Sequence, residues 1–146
     1  MLDATPEQAS ARLVAFYEHL QPAHLDALEH IYAVDAAFKD PFNEVRGIAA
    51  IRHIFAHMFS TLLEPRFVVT TQVLQGHQCF LSWEFHFRFK RQRGLAQVIR
   101  GASHVVFNRE GRVEMHRDYW DAAEELYEKL PVVGSLMRWM KAKARA

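Results

Sequence analysis

The stretch Trp83-Glu84-Phe85-His86-Phe87-Arg88-Phe89-Lys90 alternates strictly between aromatic and polar side chains. Successive side chains of a β-strand point to opposite faces of the sheet, so this stretch predicts a strand with one aromatic and one polar face. An apolar sheet face must be buried against another layer of secondary structure. The sequence therefore predicts a sheet whose aromatic face packs on helices.

Similar patterns on both sides of this stretch extend the prediction to a whole domain. Strands are predicted over residues 67–74, 79–90, 95–107 and 113–120, with turns at 75–77, 91–94 and 108–111. Helices are predicted over residues 5–20, 22–31 and 47–65, with a short extended piece at 36–40. Helices followed by hairpin-linked strands predict an α+β fold in which an antiparallel sheet curls around the helices.

The ends of the chain carry two further signals. Thr5-Pro6-Glu7-Gln8 predicts a helix start, because Thr can cap it, Pro suits the first position and Gln8 can bond back to the cap. Residues 131–146 predict an amphipathic basic helix, with Val133, Leu136, Met137 and Met140 on its apolar face. We expect residues 1–130 to form the domain and 131–146 to act as a lid or subunit contact, with membrane contact as the less favoured alternative.

Composition limits the classes of function. The chain has 146 residues, 50% of them hydrophobic, with 11 Phe and 3 Trp, which is enough for one core and an aromatic cavity. Its net charge of +1 argues against a nucleic-acid partner. A single cysteine, Cys79, cannot form an internal disulfide. With no signal peptide and no apolar run long enough to span a bilayer, we expect a soluble, cytoplasmic protein.

The stretch Phe38-Lys39-Asp40-Pro41-Phe42-Asn43-Glu44-Val45-Arg46-Gly47-Ile48-Ala49-Ala50-Ile51 resembles the ketosteroid isomerase family of the nuclear transport factor 2-like (NTF2-like), SnoaL-like superfamily. The resemblance implies a cone-shaped fold with a curved sheet and an apolar pocket. It implies that Asp40 is the general base. The family's two hydrogen-bond donors to the enolate fall on Phe16 and Ser103, so this donor pair is not preserved.

The stretch Gly111-Arg112-Val113-Glu114-Met115-His116-Arg117-Asp118-Tyr119-Trp120-Asp121 is similar to the limonene epoxide hydrolases of the same superfamily. That similarity implies that Asp118 is one of two catalytic carboxylates bracketing an arginine. The other two members of the triad belong on the preceding long strand, where this chain has Trp83 and Phe85. The triad is therefore incomplete.

The two resemblances and the period of two residues along a strand predict one shared cavity. Its apolar walls are predicted to be Phe16, Phe55, Trp83, Phe85 and Trp120, and its polar groups Asp40, Ser103, His116 and Asp118. Mostly apolar walls with a few polar groups are typical of a small-molecule site. Structural alternatives stay open: Asp40 could hold the turn before Pro41, and Asp118 could be a paired structural carboxylate.

Three functions remain open at this stage. The favoured hypothesis is acid–base chemistry by Asp40, Asp118 and His116 on a hydrophobic substrate, as in isomerases or cyclases. The alternatives are water addition of the epoxide hydrolase type and a non-catalytic ligand-binding or assembly module. No cofactor or metal is expected, since the helical pair His53 and His57 lacks an acidic third ligand. We also expect a homodimer, formed through the polar sheet face that carries Glu84, His86, Arg88 and His104.

Overall fold

The structure is a computed structural model that describes residues 4–90, 95–125 and 131–145. The helices are α1 (Pro6–Glu18), a 3-10 helix (Pro22–His30), α2 (Ile48–Thr61), α3 (Ala122–Glu125) and α4 (Pro131–Ala144). The strands are β1 (Tyr32–Lys39), β2 (Glu44–Arg46), β3 (Leu62–Gln75), β4 (Gln78–Phe89), β5 (Ala96–Phe107) and β6 (Val113–Tyr119). The predicted turn at 91–94 and the predicted domain boundary at residue 130 lie outside the described residues.

The strands form one curved, unclosed sheet in the order β2-β1-β6-β5-β4-β3. All neighbours pair antiparallel except β1 and β6, which are parallel. The predicted α+β fold and the four long strands are confirmed. The sequence did not predict β2 or the first half of β1, because β2 has three residues and the pairing of β1 shifts between Tyr32 and Ala37. That irregularity breaks the alternation on which the prediction of a strand depends.

The helices cover the aromatic face of the sheet. The predicted Thr5 cap is present, with Thr5 Oγ1 accepting from the Gln8 amide at 3.2 Å and Gln8 Oε1 accepting from the Thr5 amide at 2.9 Å. The second helix is a 3-10 helix, which explains why its inward residues Leu25 and Leu28 are three apart. On the sheet, Phe85 and its neighbours at every second position of β4 are buried, as the alternation predicts.

Beyond the sheet, α4 contacts α3 through an ion pair between Lys141 and Glu124 at 3.8 Å. Leu136 and Met140, predicted to face a covered surface, are 53% and 51% exposed in the single chain. The side chain of Val133 lies outside the described residues. The role of this segment as a lid or subunit contact therefore stays a prediction. No helix in the described part of the chain is long and apolar enough to cross a membrane.

Candidate functional site

The space between α1, α2 and the sheet holds two adjoining chambers. The inner one has a volume of about 40 Å³ and the outer one about 240 Å³. Both are lined by Phe38, Phe55, Phe67, Trp83 and Asp118. Asp118 is therefore a polar group placed where two largely apolar spaces meet.

A chain of hydrogen bonds fixes one oxygen of Asp118. Trp83 Nε1 lies 2.9 Å from Ser103 Oγ, and Ser103 Oγ lies 2.6 Å from Asp118 Oδ1. An indole N–H can only donate, so Ser103 accepts from Trp83 and has its own proton left to donate. Ser103 therefore donates to Asp118 Oδ1. Their separation of 2.6 Å is typical of a hydroxyl that donates to a carboxylate.

His116 supplies a second hydrogen bond to the same oxygen. Its Nε2 lies 2.6 Å from Asp118 Oδ1, while its side chain is 2% exposed and that of Asp118 is 19% exposed. Its Nδ1 lies 2.9 Å from the Tyr32 hydroxyl and 3.1 Å from the Tyr17 hydroxyl, and the two hydroxyls bond to each other. His116 thus lies behind Asp118 and is hydrogen-bonded through both ring nitrogens. This geometry positions the Asp118 carboxylate.

Both tyrosines stay neutral donors in this arrangement. Burial, together with the nearby Tyr32 and the negative charge of Asp118, raises the pKa of Tyr17 well above its ordinary value of 10.0. Burial also raises the pKa of Tyr32, although its hydrogen bond with Tyr17 works in the opposite direction. A neutral hydroxyl can donate to Nδ1 of His116, which leaves the Nε2 proton for Asp118.

The raised pKa values predict a loss of stability in alkali. The folded state keeps the protons of Tyr17 and Tyr32 above pH ~10, whereas the unfolded chain releases them. The free energy of unfolding should therefore be unaffected by these groups below pH ~10 and fall above it, by up to ~1.4 kcal/mol per pH unit for each tyrosine. Urea unfolding at several pH values measures this slope. An equal slope in the Tyr17→Phe, Tyr32→Phe double variant would contradict the assignment.

Gly101 on β5 allows Trp83 to lie where it reaches Ser103. A Cβ at Gly101 would lie 2.6 Å from Trp83 Cη2 and 3.0 Å from Trp120 Cβ. We expect Gly101→Ala to displace the indole and to lower the free energy of unfolding by ~1–3 kcal/mol. In a Trp83→Phe background the same change should be less destabilising, because the clashing ring is gone. Equal losses in both backgrounds by thermal unfolding would contradict this contact.

The second oxygen of Asp118 is the one available to a ligand. Oδ1 accepts from Ser103 and His116, and Oδ2 has no hydrogen-bond partner among residues 4–90, 95–125 and 131–145. Within those ranges no Lys or Arg side chain lines either chamber. The site can therefore hold an apolar molecule with one polar group at Oδ2, and Asp118 can give a proton to that group or take one from it.

Asp40 lines the outer chamber together with Asp118, but its bonds are those of a turn. Its Oδ1 accepts from the amides of Phe42 and Asn43 at 2.8 and 2.6 Å, and the Asn43 side chain contacts both oxygens at 3.1 Å. An Asp that bonds the backbone two and three residues on is typical of a turn. The structure thus places both carboxylates at one cavity and gives Asp40 the additional task of holding the loop before α2.

The apolar residues predicted for the site divide into two groups. Trp83, Phe85, Trp120 and Phe55 line the outer chamber. Phe16 was predicted to line it too, but it lines neither chamber and packs edge-on against Phe55 with ring centroids 6.4 Å apart, so a ligand contact at Phe16 stays a prediction. Tyr17 takes that position, because it shares the buried face of α1.

Sequence reasoning missed both tyrosines of the network. The i, i+4 spacing of Leu13 and Tyr17 could have identified Tyr17, since residues four apart share a helix face. Tyr32 had no comparable signal, because it lies at the irregular start of β1. Ser103 was predicted to be a polar group of the cavity, and its hydroxyl proton is donated to Asp118.

Metal binding has no geometric support. Within the described ranges, no cluster of three His, Cys, Asp or Glu side chains is placed to hold an ion. His53 and His57 on α2 are both exposed.

Comparison with known families places the chain among its relatives. The family model described as the SnoaL-like domain matches residues 13–116. The chain belongs to the SnoaL-like family. The match covers Tyr17, Asp40, Ser103 and His116 and ends two residues before Asp118. A comparison with functionally curated proteins found no match.

Solved structures share the SnoaL-like architecture at low identity. A protein with a ketosteroid isomerase-like fold from Catenulispora acidiphila DSM 44928, in complex with trimethylamine, has a TM-score of 0.69 and 17% identity, covering 84% of this chain and 92% of its own. An LEH-like epoxide hydrolase from M. tuberculosis has a TM-score of 0.69 and 17% identity, covering 94% and 98%. A protein designated a SnoaL-like polyketide cyclase from Jannaschia sp. CCS1 has a TM-score of 0.68 and 14% identity, covering 84% and 90%. At these identities the likeness shows the fold alone.

Proposed function

We propose that the chain binds a small hydrophobic molecule in the two chambers and moves a proton on it through Asp118, as an isomerase or a cyclase does. The observation that carries the proposal is the asymmetric bonding of Asp118. Ser103 and His116 hold Oδ1, while Oδ2 has no partner within the described part of the chain, in a largely aromatic cavity.

The surroundings of Asp118 suit a proton-transfer group. A carboxylate within hydrogen-bond reach of a bound molecule can act as a general acid or base and contributes typically 10²–10⁴-fold to the rate. Its orientation is fixed before the ligand binds, because two donors hold one oxygen. His116 lies behind the carboxylate and acts through it, so we assign His116 as a positioning residue.

Two reactions test the proposal and separate it from its main alternative. A β,γ-unsaturated ketone should be converted to the conjugated enone, which is followed by its ultraviolet absorption. An aliphatic epoxide should remain unhydrolysed, which is followed by mass spectrometry of the diol. Diol formation without enone formation would favour water addition. Absence of both reactions with a panel of bound ligands would favour a non-catalytic binding module.

Water addition is the second candidate because one observation favours it. His116 holds Asp118 Oδ1 at 2.6 Å, and Asp118 Oδ2, which has no partner within the described ranges, could orient a water. Against it, Trp83 and Phe85 occupy the strand positions where the epoxide hydrolase resemblance requires an arginine and a second carboxylate. No arginine among the described residues lines the chambers to polarise an epoxide oxygen.

We also propose that two chains pair through the outer sheet face. Val73, Phe80 and His104 lie opposite one another on successive strands, with Val73 54% and Phe80 49% exposed and the rings of Phe80 and His104 stacked at 4.3 Å. An exposed apolar row on a sheet face is typical of an interface. Sedimentation should give twice the 17.0 kDa of one chain, and Phe80→Arg should halve that mass. A wild-type mass of one chain at micromolar concentration would contradict the dimer.

A further inference from the structure

Among the described residues, the titratable side chains that line the outer chamber are the carboxylates of Asp40 and Asp118 and the exposed ring of His57. Asp40 and Asp118 line the outer chamber, and within the described residues no Lys or Arg does. His116 is buried behind Asp118, with both ring nitrogens engaged. Lys39 and Arg117 lie in the groove outside the mouth, not in the chambers. An anionic ligand would therefore meet carboxylates without a compensating cation.

Lys39 and Arg117 also have partners of their own. Lys39 Nζ lies 3.5 Å from the Glu44 carboxylate, and the Arg117 guanidinium lies 4.7 Å from the centre of the Tyr119 ring. Both contacts direct these cations along the outer face of the sheet. The two side chains line a groove that Asp40 and Asp118 also line, but neither of them lines a chamber.

The hydrogen-bond donors closest to the two carboxylates are already bonded to protein groups. The Trp83 indole donates to Ser103, and Ser103 donates to Asp118. The two tyrosine hydroxyls bond each other and His116, and the Asn43 amide donates to Asp40. In the outer chamber the Trp120 indole and the exposed His57 ring make no hydrogen bond to a described residue, and they are the side chains that can meet a ligand oxygen. A positively charged ligand needs no donor.

The remaining walls attract positive charge. Phe67 and Trp83 meet edge to face at 5.7 Å, and Phe67 stacks on Phe85 at 4.4 Å. Phe42 and Trp120 make a second edge-to-face pair at 5.5 Å beside the outer chamber. Aromatic faces attract a cation through their negative quadrupole, and the attraction grows when the site is shielded from water.

From these three observations we propose that the cavity takes a small organic ammonium ion, with the charged nitrogen between Asp118 and the aromatic rings. This proposal names the ligand class for the proposed function. It rests on that function, because Asp118 is the group that contacts the ligand in both. A carboxylate with one free oxygen and several ring faces provides both parts of an ammonium site. The outer chamber, at about 240 Å³, has room for such an ion with short alkyl groups.

The test compares two molecules of one shape and different charge. Choline carries a quaternary nitrogen where 3,3-dimethylbutan-1-ol carries a carbon. We expect choline to bind the full chain at least ~10-fold more tightly by calorimetry, with quenching of tryptophan fluorescence. Asp118→Asn should reduce this preference below ~3-fold and leave the affinity for the neutral alcohol within ~2-fold. Asp26→Asn, an equal charge change on the exposed 3-10 helix, should leave the preference unchanged.

The outcomes separate this inference from the proposed function. If the neutral alcohol binds as tightly as choline, or if choline fails to bind at ~10 mM, the ammonium site is wrong. Conversion of the β,γ-unsaturated ketone would still stand in that case. A choline preference that persists in Asp118→Asn would also overturn the proposed position of the nitrogen. If choline is preferred through Asp118 but no proton transfer is detected, the ammonium site stands and the catalytic proposal is wrong.

Discussion

Asp118→Asn is expected to lower kcat for conversion of a β,γ-unsaturated ketone by at least ~100-fold while the chain stays folded. Asn cannot take up and return a proton at this position. Its side-chain oxygen can still accept from Ser103 Oγ and His116 Nε2, which lie 2.6 Å from Asp118 Oδ1 in the wild type. The shape of the cavity and the affinity for an apolar ligand should therefore change little.

Asp26→Asn serves as the matched control for this experiment. Asp26 is exposed on the 3-10 helix and lines neither chamber, so the same change of charge should leave kcat within ~2-fold. Circular dichroism and thermal unfolding establish that both variants are folded. A kcat in Asp118→Asn close to that of the wild type would remove Asp118 from the proton-transfer step.

His116→Phe should produce the largest loss of stability among the variants considered. The substitution removes a donor from the half-buried Asp118 carboxylate and the acceptor for one hydroxyl of the Tyr17–Tyr32 pair. A buried polar group left without its hydrogen-bond partner typically costs ~1–3 kcal/mol, and here Asp118 and one tyrosine hydroxyl each lose a partner. For a domain of this size we expect Tm to fall by roughly 10 °C.

Two further variants show whether hydrogen bonding is the cause. His116→Gln keeps a donor for Asp118 and an acceptor for a tyrosine, so it should recover a large part of the lost stability. His24→Phe makes the same change at an exposed position of the 3-10 helix and should alter the free energy of unfolding by less than ~1 kcal/mol. If Gln and Phe at position 116 were equally destabilising, packing rather than the hydrogen-bond network would account for the loss.

The sequence predicted those parts of the fold that follow a simple period. Alternation along β4 identified the aromatic face, and the same period of two placed Ser103, His116 and Asp118 on one side of the sheet. All three side chains are buried or half-buried in the structure. Where strands are long and one face is apolar, register has little freedom, because a slip of one residue would expose the core.

Other features depend on contacts that no local pattern encodes. Tyr32 enters the network because β1 pairs in parallel with β6, which brings Tyr32 next to His116 across 84 residues of chain. Phe16 was predicted for the cavity from a resemblance, and the helical period of α1 instead turns Tyr17 inward. The turn function of Asp40 was readable from Pro41 and Asn43 nearby, because short-range hydrogen bonds of Asp depend on local sequence.

A crystal structure of the chain with a bound β,γ-unsaturated ketone, or with the enone formed from it, is the most direct test of Asp118 as the working group of the site. We expect the ligand between α2 and the aromatic face of the sheet, with the carbon that gives up or receives the proton within ~3.5 Å of Asp118 Oδ2. Ser103 and His116 should remain on Oδ1. A ligand bound in the groove outside β1 and β6, or an Asp118 turned away from the bound molecule, would contradict it.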